Sequence, residues 1–156
     1  MLTVLDTDVL SELRLPDPSP KVLAWFSAMP ADELALTSFA ITEVEYGIAR
    51  LPARDTTFAA QLTGWLDMIL SSHNVLALDA AAARILGRMY AMPPLRNLAV
   101  THPRAAQPKF GRDLVIAATA IAHGAAVATR NIRDFGLIAG SFPQLKGIDP
   151  FTGAQF

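Results

Sequence analysis

Short apolar runs alternate along this chain with longer stretches of helical period, and that alternation restricts the fold more than any other feature. Leu2–Leu5, Leu34–Ser38, Asn74–Leu78, Ala125–Thr129 and Lys146–Asp149 read as strands. Between them, Ile41, Val44, Ile48 and Leu51 fall on one helical face, as do Phe58, Leu62, Trp65, Leu66 and Ile69. Strands separated by helices predict an α/β sandwich built on a mainly parallel sheet. A chain of 156 residues, 52% hydrophobic and 17% charged, can bury a core as one domain over residues 1–156 and lies well outside the disordered range.

Local signals punctuate these elements. Thr7 or Asp8 is placed to cap a helix through Leu13, and Ser19 to cap one opened by Pro20, carrying Val22, Leu23, Trp25 and Phe26 and closed by Pro30. Asp79 caps a helix of Ala81 to Tyr90, which Pro93-Pro94 stops. Gly124 closes an alanine-rich helix from Leu114 to His123. Residues 92–110 hold four prolines, three Lys/Arg residues and no acid, and read as a long irregular segment: a lid, a dimer contact, an RNA-facing strip or a passive insertion. The aromatic residues Trp25, Phe26 and Trp65 read first as core. His73, His102 and His123 show no metal spacing.

Composition excludes several classes. Without cysteine there are no disulfides and no thiolate metal sites, in keeping with a reducing compartment. The first residues show no basic region ahead of an apolar leader, and no apolar run approaches the ~20 residues of a membrane helix. A soluble, cytoplasmic protein is expected. A net charge of −1 argues against a general nucleic-acid coat, yet the charge is unevenly spread. Eight acids fall in the first fifty residues, whereas Arg84, Arg88, Arg96, Arg104, Lys109, Arg112, Arg130 and Arg133 face Asp113 as the only acid in their span. An acidic pocket beside a basic half suits a polyanion drawn to bound metal; ordinary solvated helix faces explain the same arginines equally well.

Four acids stand where apolar runs surface: Asp6, Glu43, Asp113 and Asp134. Each has a modest structural explanation. Asp6 after a strand can be a helix cap, and Glu43 or Asp113 near a helix start suits the macrodipole. Glu45, two residues beyond Glu43, points elsewhere and reads as a surface residue. Together the four make a poor stabilising device, because close carboxylates repel unless a cation lies between them. Hard divalent ions take oxygen ligands, and open α/β sheets gather their strand ends at one edge.

Leu5-Asp6-Thr7-Asp8-Val9-Leu10-Ser11-Glu12, Thr42-Glu43-Val44-Glu45-Tyr46-Gly47-Ile48, Gly111-Arg112-Asp113-Leu114-Val115-Ile116-Ala117-Ala118-Thr119-Ala120 and Thr129-Arg130-Asn131-Ile132-Arg133-Asp134-Phe135 resemble, in order, the motifs of PIN-domain nucleases, most closely VapC and FitB-like toxins. The resemblance spans nearly the whole chain. It implies a PIN-like three-layer α/β/α sandwich with a sheet of four to five strands. It also implies an Mg²⁺-dependent endoribonuclease, with Mn²⁺ possible, acting as the toxin of a type II toxin–antitoxin pair. The metal-binding acids carry over to Asp6, Glu43 and Asp113, and the fourth position to Asn131 or Asp134. Asp8 stands where the family usually has Asn, and Thr7 and Thr129 could orient carboxylates or waters. Arg112 and Arg130 could neutralise phosphate, or simply be solvated. The resemblance further implies an RNA substrate, a VapB-like antitoxin that masks the site, and homodimerisation.

Two other readings remain. Asp6-Thr7-Asp8 imitates the paired aspartates of haloacid-dehalogenase-type phosphatases, with Asp6 as nucleophile. Leu10 departs from that pattern and Lys109 is a weak match for its lysine. Alternatively, with Asn131 where many members have Asp, the domain binds RNA or a partner without cutting.

Overall fold

The computed structural model describes residues 1–99 and 111–156. Five strands, β1 (Thr3–Leu5), β2 (Leu34–Thr37), β3 (Asn74–Leu76), β4 (Ala126–Ala128) and β5 (Gly147–Ile148), form one sheet in the order β3-β2-β1-β4-β5. Every neighbouring pair is parallel. The chain steps outward from β1 to β3 and then returns to the other side of β1 for β4 and β5. The order therefore reverses between β1 and β4, and such a switch point opens a crevice at the carboxyl ends of the strands.

Helices α1 (Thr7–Leu13), α2 (Pro20–Ala28), α3 (Ser38–Ala49), α4 (Thr56–Ser72), α5 (Ala80–Ala91), α6 (Arg96–Ala99), α7 (Arg112–Ala122) and α8 (Ile132–Ser141) make the connections. Successive strand residues point to opposite faces. Val4 and Val127 join Met89, Leu114, Ile116, Phe135 and Ile138 in one core, while Leu5 and Ala128 join Val9, Leu10, Val22, Leu36 and Ile69 in the other. The result is the expected α/β/α sandwich, with a fully parallel five-stranded sheet. Trp25, Phe26 and Trp65 are only half-buried and pack against the rim of the second core.

Several boundaries differ from expectation for identifiable reasons. Asp6, rather than Thr7 or Asp8, caps α1, its carboxylate accepting from Thr7 N. Ser19 stands at the cap position of α2, but its side chain makes no capping bond; its N–H donates to Glu12 Oε1 at 2.7 Å. Thr37 caps α3 by accepting from Ala40 N, so α3 begins at Ser38 and Glu43 lies in its second turn. The macrodipole explanation of Glu43 is thereby removed, because that effect is confined to the first turn. Asp79 caps α5 as expected. Gly124, at φ +63°, lets Ala125 N reach Ala120 O at the end of α7, where a side chain would be strained. Pro93–Leu95 forms a single 3₁₀ turn leading into α6, so the start of the segment expected to be irregular is helical. Residues 100–110 of that segment, with Arg104, Lys109 and His102, lie outside the described residues. Helix α8, unexpected in a stretch that holds Gly136 and Gly140, seats Phe135 and Ile138 on the first core.

Gly147 in β5 sits where a Cβ would come 2.0 Å from the Phe156 ring and 2.6 Å from Val127 O. The ring can move; the β4 carbonyl cannot, because strand pairing holds it. Gly147→Ala should therefore lower stability by about 1–3 kcal/mol, read as a shifted urea midpoint, and Phe156→Ala should not restore it. An unchanged midpoint in Gly147→Ala would refute this packing.

Candidate active site

The site forms at the β1/β4 switch point because α1, α7 and α8 begin there and α3 passes alongside. Asp6 leaves β1 as the cap of α1, and its N–H still donates to Ala128 O of β4 at 2.9 Å. Its side chain is thus held at the seam of two central strands and the residue is 2% exposed. One carboxylate oxygen accepts from Thr7 N at 2.7 Å and the other from Thr129 Oγ1 at 2.7 Å. Thr129 is itself buried, and the same Oγ1 accepts from Asn131 N at 2.9 Å.

Glu43 comes in from the side, from the second turn of α3, and Thr7 Oγ1 donates to its Oε2 at 2.5 Å. Asp113 is in the first turn of α7, whose start is set by Gly111 in the left-handed region at φ +61°. A Cβ at Gly111 would also crowd the Tyr90 hydroxyl at 3.1 Å, so both backbone angle and space call for glycine. Asn131 caps α8, its Oδ1 accepting from Asp134 N, while its Nδ2 donates to Asp113 Oδ2 and to Asp134 Oδ2, both at 2.9 Å. Asn131 and Asp134 therefore occupy one corner together, the amide tying Asp134 to Asp113. Glu45 is exposed, away from this cluster.

Two participants carried little signal in the sequence. Arg112 turns back from the start of α7, with Nη1 3.5 Å from Glu43 Oε1 and Nε 3.3 Å from Asp113 Oδ1. Partial burial works against its charge, but Glu43, Asp113 and Asp6 more than offset this. Asp8 accepts from Arg130 N at 3.1 Å through one oxygen. Its other oxygen, Oδ1, is buried with no hydrogen-bond partner among the described residues. Arg130 extends over the Phe151 ring, 4.7 Å from its centre, at the rim. In the sequence, Arg112 was read as a candidate phosphate contact and Asp8 as a polar neighbour of Asp6 where the family usually has Asn; neither reading included the contacts seen here. Arg84, Arg88, Arg96 and Arg133 are exposed, as solvated helix faces would be. His73 contacts Ile69 O one turn back, and His123 reaches across to Ala77 O, both outside the site.

Burial is the largest influence on the carboxyl of Asp6, followed by the charge of Asp8 and, more weakly, Asp113. These raise it to about 7 against the lowering hydrogen bonds from Thr129 and Thr7. Asp8 and Glu43 are also raised, chiefly by burial. Among the described residues, no three His, Asp or Glu side chains are gathered so as to hold an ion as they stand. The chemistry of the donor set nonetheless fits a hard divalent cation: carboxylate oxygens, one of them, Asp8 Oδ1, buried without a partner among the described residues, under mutual repulsion that a cation would relieve.

Fold and site place the chain among α/β proteins that concentrate acidic side chains at the switch point of a parallel sheet. It belongs to the PIN-domain family, whose model matches residues 3–140. Among its relatives, VapC ribonuclease Y4jK of Sinorhizobium fredii is 35% identical over 86% of this chain and 90% of its own length. Toxin FitB of Neisseria gonorrhoeae is 29% identical over 86% of this chain and 91% of that protein. The crystal structure of FitAcB from Neisseria gonorrhoeae superposes with a TM-score of 0.74 at 24% identity, covering 97% of this chain and 99% of that one. DNA-bound VapBC from Salmonella typhimurium gives 0.69 at 23%, covering 96% and 99%. The two solved structures speak for the fold.

Between the ordinary carboxylate value of 3.8 and about 7, the folded chain binds more proton at Asp6 than the unfolded chain does. Stability should therefore fall as pH rises through that window and level off above it. Urea midpoints of the wild type minus those of Asp6→Asn, measured without divalent ions, should show this fall. A difference that stays flat or rises with pH would contradict it.

Proposed function

We propose that this protein is a metal-dependent endoribonuclease that hydrolyses RNA phosphodiester bonds, acting as the toxin of a type II toxin–antitoxin pair that blocks growth by inhibiting translation. The observation carrying this reading is the convergence of Asp6, Glu43, Asp113 and the Asn131/Asp134 corner at one strand edge, in a PIN-domain chain with a relative named as a ribonuclease. Asp6, Glu43 and Asp113 would hold Mg²⁺, or Mn²⁺, with Asn131 and Asp134 completing the fourth corner. Once bound, the ion supplies Lewis acidity toward the phosphate and a lowered pKa for an attacking water.

The chain's own residues do the positioning. Thr129 and Thr7 fix the rotamer of Asp6, and Thr7 also orients Glu43. Asn131 aligns Asp113 against Asp134, so the amide acts on two carboxylates at once. Arg130, braced on Phe151 at the rim, would meet a phosphate oxygen of the substrate. Burial at the floor limits water around Asp6 and strengthens every electrostatic contact there.

A cleft of about 230 Å³ between α1, α3 and α4 opens beside Glu43 and is lined by Val44, Ile48, Phe58, Leu62 and Trp65. It offers an apolar seat for an antitoxin segment that would cover the site. We further take residues 1–156 as one domain, working as a homodimer in the cytoplasm. Among the described residues no helix is long and apolar enough to cross a membrane. Neither a phosphatase reading nor an inert RNA-binding reading gains a specific observation, and Lys109 of the former lies outside the described residues.

Asp6→Asn should abolish Mg²⁺-dependent RNA cleavage with circular dichroism unchanged, and Thr129→Val should reduce it by roughly 10–100-fold through loss of carboxylate orientation. Mapping 5′ ends after expression supplies the substrate readout. Full activity of Asp6→Asn in Mg²⁺, or RNA bound but uncut by the wild type in every divalent ion tried, would sink the proposal.

A further inference from the structure

Arg112 engages two of the carboxylates assigned above to the ion, and it takes particular oxygens. Thr7 holds Glu43 Oε2 and Asn131 holds Asp113 Oδ2. The guanidinium faces the other oxygen of each, Glu43 Oε1 at 3.5 Å and Asp113 Oδ1 at 3.3 Å. A carboxylate oxygen keeps a second lone pair beside one hydrogen bond, so the ion is not confined to particular oxygens, but the guanidinium's charge stands against the two carboxylates that would hold it. Both contacts are long beside the ~2.7–2.9 Å of strong charge-assisted bonds. The Arg112 side chain is 40% exposed against 13% for Asp113. Charge rather than packing holds the guanidinium there, and it can swing outward on its flexible stem without opening either core.

We propose that Arg112 is a built-in competitor for the divalent ion: its guanidinium already neutralises the Glu43 and Asp113 carboxylates that would hold the metal, so that metal entry works against Arg112 and drives it outward. The residue thereby sets the metal concentration at which the site loads. On leaving, the guanidinium stays on the first turn of α7, beside the loaded site, where it can meet a phosphate. Removing it should tighten metal binding, the opposite of what removing a supporting residue does. This inference rests on the metal-site reading under Proposed function, and the test separates the two.

Mn²⁺ binding to the isolated protein is measured by loss of the free-ion EPR signal, in the wild type and in Arg112→Gln, Arg130→Gln and Asp6→Asn. Arg112→Gln should bind Mn²⁺ about 3- to 30-fold more tightly than the wild type, the range corresponding to loss of two partly exposed ion pairs. Arg130→Gln removes the same charge nearby without touching those oxygens, and should change affinity by less than about twofold. Unchanged or weaker binding in Arg112→Gln, or equal tightening in Arg130→Gln, overturns the proposal. Loss of binding in Asp6→Asn keeps the site assignment whatever Arg112→Gln does; retained binding there removes the assignment instead. Absence of binding in both the wild type and Arg112→Gln rejects both. In the unaltered chain, the Nε–H resonance of Arg112 should move toward its solvent-exposed position as diamagnetic Mg²⁺ is added. A resonance unmoved through saturation also overturns the proposal.

Discussion

A carboxylate that must remain at the bottom of the β1/β4 seam governs the rest of this structure. Asp6 follows the central strand directly, its backbone is paired to Ala128, and it has no room to reach solvent. Burying such a group is costly unless donors are aimed at it. Thr7 N and Thr129 Oγ1 supply them, and the latter ties β4 and the start of α8 to the same atom set. Asp8 and Asp113 nevertheless lie close enough to raise its carboxyl further. An arrangement selected for stability alone would not keep three acids here, and perturbed carboxylates in a crevice point to chemistry.

The scaffold offsets part of that cost. Helices α1, α7 and α8 start at this edge, and their unpaired N–H groups and dipoles favour negative charge. Asp6 caps the first, while Asp113 and Asp134 lie in the first turns of the others. Glu43 is the exception, since it stands in the second turn of α3 and gains little from the helix end. Thr7 and Arg112 provide the compensation that geometry withholds. Three acids are thus placed by the general architecture, and the fourth depends on specific side chains.

That division also explains what was legible in the sequence. Strands announced themselves through apolar runs, and acids at strand ends marked the crevice before any contact was known. Helix α8 stayed hidden because Gly136 and Gly140 interrupt its pattern and leave Phe135 and Ile138 as its only fully buried residues. Glu43 was misplaced by one turn because β2 ends at Thr37, whose hydroxyl caps α3, and not at Ser38. Arg112 was seen as a phosphate contact, but its reach to Glu43 joins residues 69 apart, and no local pattern encodes such a contact. Asp8 showed as a neighbour of Asp6, while its orphaned oxygen depends on how β4 and Arg130 pack above it.

The site consequently has a fixed half and an adjustable half. Asp6 and Thr129 directly follow β1 and β4 and are tied to the sheet by their backbones, Asp6 N–H to Ala128 O and Thr129 N–H to Ile148 O. Glu43, Arg112 and Asp113 meet across the ends of two helices through longer contacts, and their side chains retain 22%, 40% and 13% exposure. A ligand entering this crevice therefore meets rigid donors on one side and movable ones on the other. Its binding energy must pay for rearranging the movable side only, since the rigid side is paid for in folding.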